Sequence, residues 1–177
     1  MKITISGLPG SGTTTVAELL SRGMSVELLS AGVVFRRMAA EKGLSLEQFS
    51  SLAEINDEFD RAIDERQREE ARKSGNVIVE GRLSGFFVHD ANLKIWLKAP
   101  LEIRARRIAM RDEIGYEEAL QAMGERERSE YKRYEAYYGI NLDDLSIYNL
   151  VIDSSRWNEE DIVAMILLAA ERMEYKG

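Results

Sequence analysis

The residues with the most chemical promise stand near the start of the chain. Gly7-Leu8-Pro9-Gly10-Ser11-Gly12-Thr13-Thr14 matches the pattern G-x-x-x-x-G-K-[ST] at every fixed position but one, with Thr13 standing where lysine belongs. Glycines at this spacing let a backbone bend until successive N–H groups converge on phosphate oxygens. A helix beginning directly after the loop, through Thr13, Thr14 and Thr15, adds unpaired N–H groups and its positive dipole end to the same anion. Thr14 is placed to offer its hydroxyl to a magnesium ion bridging the phosphates. A ligand-free strand-to-helix turn needs fewer such residues and does not account for Gly7, Gly10 and Gly12 together. The missing lysine leaves its positive charge to magnesium, to arginines elsewhere, or to nothing. The last case would be a nucleotide binder that does no chemistry.

Arginine outnumbers lysine 17 to 7, and seven of the arginines lie between Arg104 and Arg133. The planar guanidinium suits bidentate phosphate recognition, so a local excess on a chain of net charge −7 points to a small anionic ligand. For most of these arginines the plainer explanation is a solvated helix face carrying i,i+4 ion pairs. An acidic chain is ill suited to general nucleic-acid binding, which needs a basic face. With no cysteine, disulfides, zinc–thiolate sites and cysteine nucleophiles are excluded. No signal peptide opens the chain and no stretch of 18 apolar residues occurs. A cytoplasmic monomer with no membrane or nucleic-acid partner is the expectation. The lone histidine, His89, has no obvious partner and reads as a surface residue.

Alternating β-branched residues over Lys2–Ser6 predict a first strand, and Val16, Leu19 and Leu20 mark a helix behind the loop. Further strands are predicted at 26–29, 77–79, 93–97 and 150–152, with helices at 33–40, 44–49, 55–73, 101–111, 116–138 and 159–173. Ser45 with Gln48 reads as a capping box, and Gly43 as a helix stop. Strands alternating with helices imply crossovers, hence a mostly parallel sheet covered on both faces. Length fits one domain, with a core at 1–30, 75–110 and 146–177. Two helical excursions, about 31–74 and about 111–145, exceed what a crossover requires and offer places for a clamp or lid. Trp96 and the 162–168 stripe read as core, and Tyr131, Tyr134, Tyr137 and Tyr138 as lid packing.

Taken together, these residues resemble the archaeal type of cytidylate kinase, among the P-loop nucleoside monophosphate kinases. The resemblance rests on G-L-P-G-S-G-T-T-T at 7–15, S-A-G-x-x-F-R at 30–36, E-G-R at 80–82, A-P-x-E-x-R at 99–104, R-E-R-x-x-x-x-R-Y at 126–134, Y-G-I at 138–140 and D-L-S-I-Y-N-L-V-I-D at 144–153. It covers almost the whole chain, and Thr13 fits this subfamily although it departs from the general loop. It implies a three-layer α/β/α P-loop NTPase fold with a five-stranded sheet, a nucleoside-monophosphate-binding excursion and a lid. The implied reaction is ATP + (d)CMP → ADP + (d)CDP with Mg2+. Ser30, Gly32, Arg36 and Arg82 would then hold the acceptor, Arg126, Arg128 and Arg133 would be lid arginines at the transferring phosphate, and Glu80 would order magnesium beside Thr14. Base choice should reside in 54–65, which carries Glu54, Asp57, Glu58, Asp60 and Asp64. A carboxylate in the pocket would favour cytosine, whose exocyclic amine it accepts from, over uracil; the sequence does not say which acid points inward, and Asp57 and Asp60 are the expected acceptor contacts. Two alternatives stay open: a small P-loop kinase for AMP, UMP or another metabolite, and a non-catalytic nucleotide-binding module.

Overall fold

The alternation at the N-terminus becomes strand β1 (Lys2–Gly7), and the loop after it runs into helix α1 (Thr13–Met24). Then follow β2 (Glu27–Ser30), α2 (Ala31–Glu41), α3 (Leu46–Ile55), α4 (Glu58–Lys73), β3 (Val77–Glu80), α5 (Ser84–Phe87) and β4 (Leu93–Lys98). Helices α6 (Leu101–Asp112) and α7 (Tyr116–Tyr138), strand β5 (Leu150–Asp153) and helix α8 (Glu159–Glu174) complete the chain. This computed structural model describes residues 1–56 and 58–174, apart from the side chains of Glu47, Ser50, Glu54, Ile55, Asp60, Arg66 and Glu174.

All five strands are parallel, in the order β2-β3-β1-β4-β5. Strict two-residue periodicity divides the sheet between its two coverings. Ile3, Ile5, Ile78, Ile95 and Leu97 point to the side of α1 and α8, where they pack with Val16, Leu20, Ile162 and Ile166. Val77 and Val79 point the other way, toward Ala71 of α4 and Val88. Each isoleucine removed from water in this way contributes on the order of 2 kcal/mol. The register sets Ser30 beside Glu80, Ile5 beside Glu80, and Gly7 beside Leu97. The carboxyl ends of β1 to β4 therefore finish together, at the edge where open α/β sheets bind ligands.

Each excursion carries a small core of its own. In α2–α4, Phe35, Ala39, Phe49 and Ile63 cluster, with Phe35 and Phe49 edge to face at 4.7 Å. Between α6 and α7, Ala105, Ile108, Ala119 and Met123 do the same. Ser45 and Gln48 form the predicted capping box, and Gly43 adopts φ 67° after α2.

Some boundaries differ from the sequence reading. α2 starts at Ala31 rather than 33, because the Ser30 hydroxyl accepts from Val33 N–H and caps it. Ile55 closes α3 instead of opening α4, with extended Asn56 after it. The single turn α5 was not predicted: four residues including a glycine carry no periodicity, and Gly85 sits against the Tyr148 ring. Ile162 and Ile166 are core as expected, but Leu168 is 54% exposed. Trp96 is buried, and His89 is exposed. Among the described residues no helix is long and apolar enough to cross a membrane.

Candidate active site

Four consecutive carbonyls of the glycine-rich loop are pinned by side chains. Leu8 O accepts from the Ser11 hydroxyl at 2.6 Å, and Pro9 O from Arg104 Nη1 at 3.0 Å. Gly10 O accepts from Arg107 Nη1 at 3.3 Å, and Ser11 O from the Ser154 hydroxyl at 2.8 Å. In a trans peptide the N–H lies opposite the C=O. Holding the Pro9 and Ser11 carbonyls outward thus turns the N–H groups of Gly10 and Gly12 the other way, into the loop's concavity. Gly10 (φ 80°) and Gly12 (φ 87°) supply left-handed conformations that other residues rarely adopt. A Cβ on Gly10 would also lie 2.6 Å from Arg104 O. Arg104 and Arg107 are one turn apart on α6, and Arg107 donates further to Ser154 Oγ at 3.0 Å and Ser154 O at 2.7 Å. Side chains from α6 and from the turn after β5 thereby fix the path of the loop.

At the end of β3, Glu80 is 5% exposed and gathers hydroxyls. Thr13 donates to Oε1 at 2.7 Å, Thr14 to the same oxygen at 3.4 Å, and Ser30 to Oε2 at 2.5 Å. The residue in the usual lysine position is therefore a donor to the strand-end carboxylate. Thr14 and Glu80 present hard oxygen donors of the kind magnesium takes. Magnesium keeps several waters and borrows phosphate oxygens, so two protein oxygens beside a phosphate loop fit it. Among the described residues no group of three or more His, Cys, Asp or Glu gathers as a closed metal cage.

Leu8, Pro9, Gly10, Thr13 and Thr14 of the loop line a cleft together with Gly32, Phe35, Ile63, Asp64, Glu80, Arg82, Arg126, Arg133 and Tyr134. A second hollow shares Gly10, Thr13 and Thr14 with the cleft and is lined further by Gly12, Thr15, Arg107 and Glu159. Arg111 lines both. Its guanidinium donates to both Asp112 oxygens, at 2.6 and 2.7 Å. Burial lowers the pKa of Arg36, and the charges of Arg111 and Arg126 lower it further, against Glu80 and Asp112. Arg111 and Arg126 line the cleft, and the Arg36 guanidinium is near enough to feel both charges.

Glu130 organises the far wall. Arg82 Nε donates to it at 2.6 Å and Arg126 Nε at 2.9 Å, and the carboxylate is 3% exposed. Burial alone would favour its neutral form, but the charges of Arg82, Arg126 and Arg133 and the hydrogen bond from Arg82 hold the carboxyl down at about 2. The same contact keeps Arg82 above its ordinary value despite burial. Arg126 also stacks on the Phe35 ring at 5.8 Å. Arg133 is buried and donates to the Ser129 hydroxyl.

Most residues singled out in the sequence meet here. Gly7 and Ser11 do not face the cleft: Ser11 turns its hydroxyl into the loop, and Gly7 packs against Leu97 O. Ser30 caps α2 and bonds Glu80. Arg36 lies behind Gly32, its Nη1 3.4 Å from where a Cβ there would stand. Arg128 is exposed and lines neither hollow. At about 100° per residue it points about 200° from Arg126, whereas Arg133 returns to nearly the same face. Asp57 and the Asp60 side chain lie outside the described residues. The tyrosines pack as expected: Tyr134 is buried with Leu83 and Leu142, Tyr131 donates to Asp143, and Tyr137 to Ala53 O. Sequence reasoning missed Glu130, Arg111, Arg104 and Arg107. Glu130 carried a usable signal, being four residues after Arg126 and hence on its face.

A shaped phosphate loop at the carboxyl edge of a five-stranded parallel sheet, faced by arginines, defines a P-loop α/β protein. Shikimate kinase from Aquifex aeolicus shares this fold, with a TM-score of 0.57 and 19% identity over 100% of both chains. The chain belongs to the cytidylate kinase-like family, whose pattern matches residues 2–156. It is 47% identical over 175 residues to a cytidylate kinase of Pyrococcus horikoshii, covering 99% of this chain and 91% of that one. It is 48% identical over 176 residues to a cytidylate kinase of Archaeoglobus fulgidus, covering 99% and 98%.

Proposed function

We propose that the protein transfers the γ-phosphate of ATP to CMP or dCMP, giving ADP and CDP or dCDP. Membership of the cytidylate kinase-like family supports this reading. The observation that carries it is the glycine-rich loop, pinned at the carboxyl edge of the sheet and sharing one cleft with Arg82, Arg111, Arg126 and Arg133.

The loop amides and the N-terminus of α1 hold the ATP phosphates. Arg36, midway along α2, and Arg82, two residues beyond β3, hold the acceptor phosphate in line with the γ-phosphorus. Arg126 and Arg133 neutralise charge on the group in transit, and Arg111, which faces both hollows, supplies the charge that the absent loop lysine would bring. The acceptor phosphate is ionised near neutral pH, so positioning, charge neutralisation and exclusion of water suffice without a general base. Thr14 and Glu80 would hold Mg2+, which when bound neutralises charge on the β- and γ-phosphates. The excursions at about 31–74 and 111–145 serve as acceptor clamp and lid, in a cytoplasmic monomer.

A coupled ADP-release assay across CMP, dCMP, UMP and AMP tests the reading. Turnover with CMP or dCMP well above the others is expected. Turnover with AMP and none with CMP or dCMP, or ATP binding with no ADP released for any acceptor, refutes it.

A further inference from the structure

The Arg104 side chain lies against the glycine-rich loop with only 7% of its surface in water. A guanidinium this dry needs its donors answered and its charge balanced. Nε is answered by Ala99 O at 3.0 Å, just beyond β4, which sets the direction of the fork. Nη1 is answered by Pro9 O at 3.0 Å and rests on Met123 Sδ at 3.6 Å. The charge is balanced from α7 by Glu127, which accepts from the same Nη1 and is itself 16% exposed. Contact with the loop is direct: a Cβ on Gly10 would stand 2.9 Å from the Arg104 Cβ.

Glu127 follows Arg126, but a step of about 100° around the helix turns it from the cleft toward α6. Neither Glu127 nor Arg104 lines the cleft or the second hollow, so neither is a direct ligand of a nucleotide held there.

We propose that Glu127 is a positioning residue for the phosphate loop, setting ADP and ATP affinity through Arg104 without touching either nucleotide. This rests on the loop being the ATP cradle, as given above. With its counter-charge present, the guanidinium stays in its dry place and keeps the Pro9 carbonyl turned away from the loop's concavity. With a neutral amide instead, the buried cation is uncompensated and moves toward water or draws water in. Either response releases the Pro9 carbonyl, and the planar peptide unit that also carries the Gly10 N–H is then free to rotate. An amide meant for phosphate loses its fixed aim.

Calorimetric titration with ADP compares the unaltered protein with Glu127→Gln, Arg104→Met and the double variant, each checked for folding by urea unfolding. Glu127→Gln is expected to raise the Kd for ADP by about 5- to 50-fold. In the Arg104→Met background the same change should be silent, because its route to the loop is gone. An unchanged Kd in Glu127→Gln would overturn the proposal, as would an equal loss in both backgrounds. A second measurement needs only the one variant and stands even if Arg104→Met does not fold. The Ser11 N–H bonds to Leu8 O at 3.1 Å, so its hydrogen exchange reports the loop's shape. In nucleotide-free Glu127→Gln this amide should exchange about fivefold faster or more, while the core amides of β1 keep their rates. Equal acceleration of both would mean a merely structural role, and an unaltered Ser11 rate would mean that the loop does not depend on Glu127; either result overturns the assignment. Failure of the cradle reading itself would show separately, as no ADP binding by the unaltered protein.

Discussion

Replacing Glu130 by glutamine removes one buried charge while keeping shape and one oxygen acceptor. The carboxyl falls from its ordinary 4.5 to about 2 in the folded protein. At 1.36 kcal/mol per pH unit, that displacement corresponds to about 3 kcal/mol of stability. An independent estimate agrees: breaking a buried ion pair by removing one partner costs about 3–5 kcal/mol, and Glu130 serves two arginines. For a chain of this length, about 3 kcal/mol lowers Tm by about 6–12 °C. The sign follows from proton counting. Between about 2 and 4.5 the unfolded chain binds the proton that the folded one refuses, so stability rises with pH there and is fully present above 4.5. Urea unfolding of both proteins from pH 7 downward should therefore show a gap of about 3 kcal/mol at neutrality. The gap should fall to about half or less by pH 3 and close near pH 2. A gap under about 1 kcal/mol at pH 7, or one that persists undiminished at pH 2.5, would refute the account of Glu130 as the charge that holds the arginine wall together.

Three further outcomes are expected. Arg111→Ala should lower kcat by about 10²- to 10³-fold with a smaller change in the KM for ATP, as for loss of a group acting on transition-state charge; an unchanged kcat would remove it from the mechanism. Arg126→Ala should lower turnover strongly, while Arg128→Ala, altering an exposed side chain outside both hollows, should leave it within about threefold; the reverse order in a steady-state comparison would relocate the lid's active face. Gly12→Val puts a β-branched residue at φ 87°, a conformation it rarely adopts, with its Cβ 3.9 Å from Arg107 Nη1, so the loop must leave its path. Calorimetric titration should then show ADP affinity lost, and retained affinity would count against the loop as the nucleotide cradle.

The parts of this protein readable from sequence are those governed by local rules. The capping box at Ser45 and Gln48, the stop at Gly43 and the loop glycines each follow from short-range backbone geometry. The parallel sheet follows from alternation of strand and helix. What stayed hidden depends on which side chains of distant segments meet. Arg104 and Arg107 look like ordinary charges on a surface helix until β4 carries α6 beneath the loop carbonyls. The face of α7 turned toward the cleft is set by packing of Ala119 and Met123 on α6, so Arg126 and Arg128 could not be ranked beforehand. Glu130 lay in a run of alternating charge, where burial alone distinguishes an organising carboxylate from a solvated one. Gly85 of helix α5 lies against the Tyr148 ring, a partner over sixty residues away that no local pattern announces.

Arg104 reaches in two directions at once. One guanidinium nitrogen serves both the Pro9 carbonyl of the phosphate loop and the Glu127 carboxylate of α7. Tilting that long helix outward would strip the guanidinium of its counter-charge in a dry location while it still gripped the loop. The seating of α7 and the shape of the loop are thereby tied through a single guanidinium, and neither can be altered without charging the other.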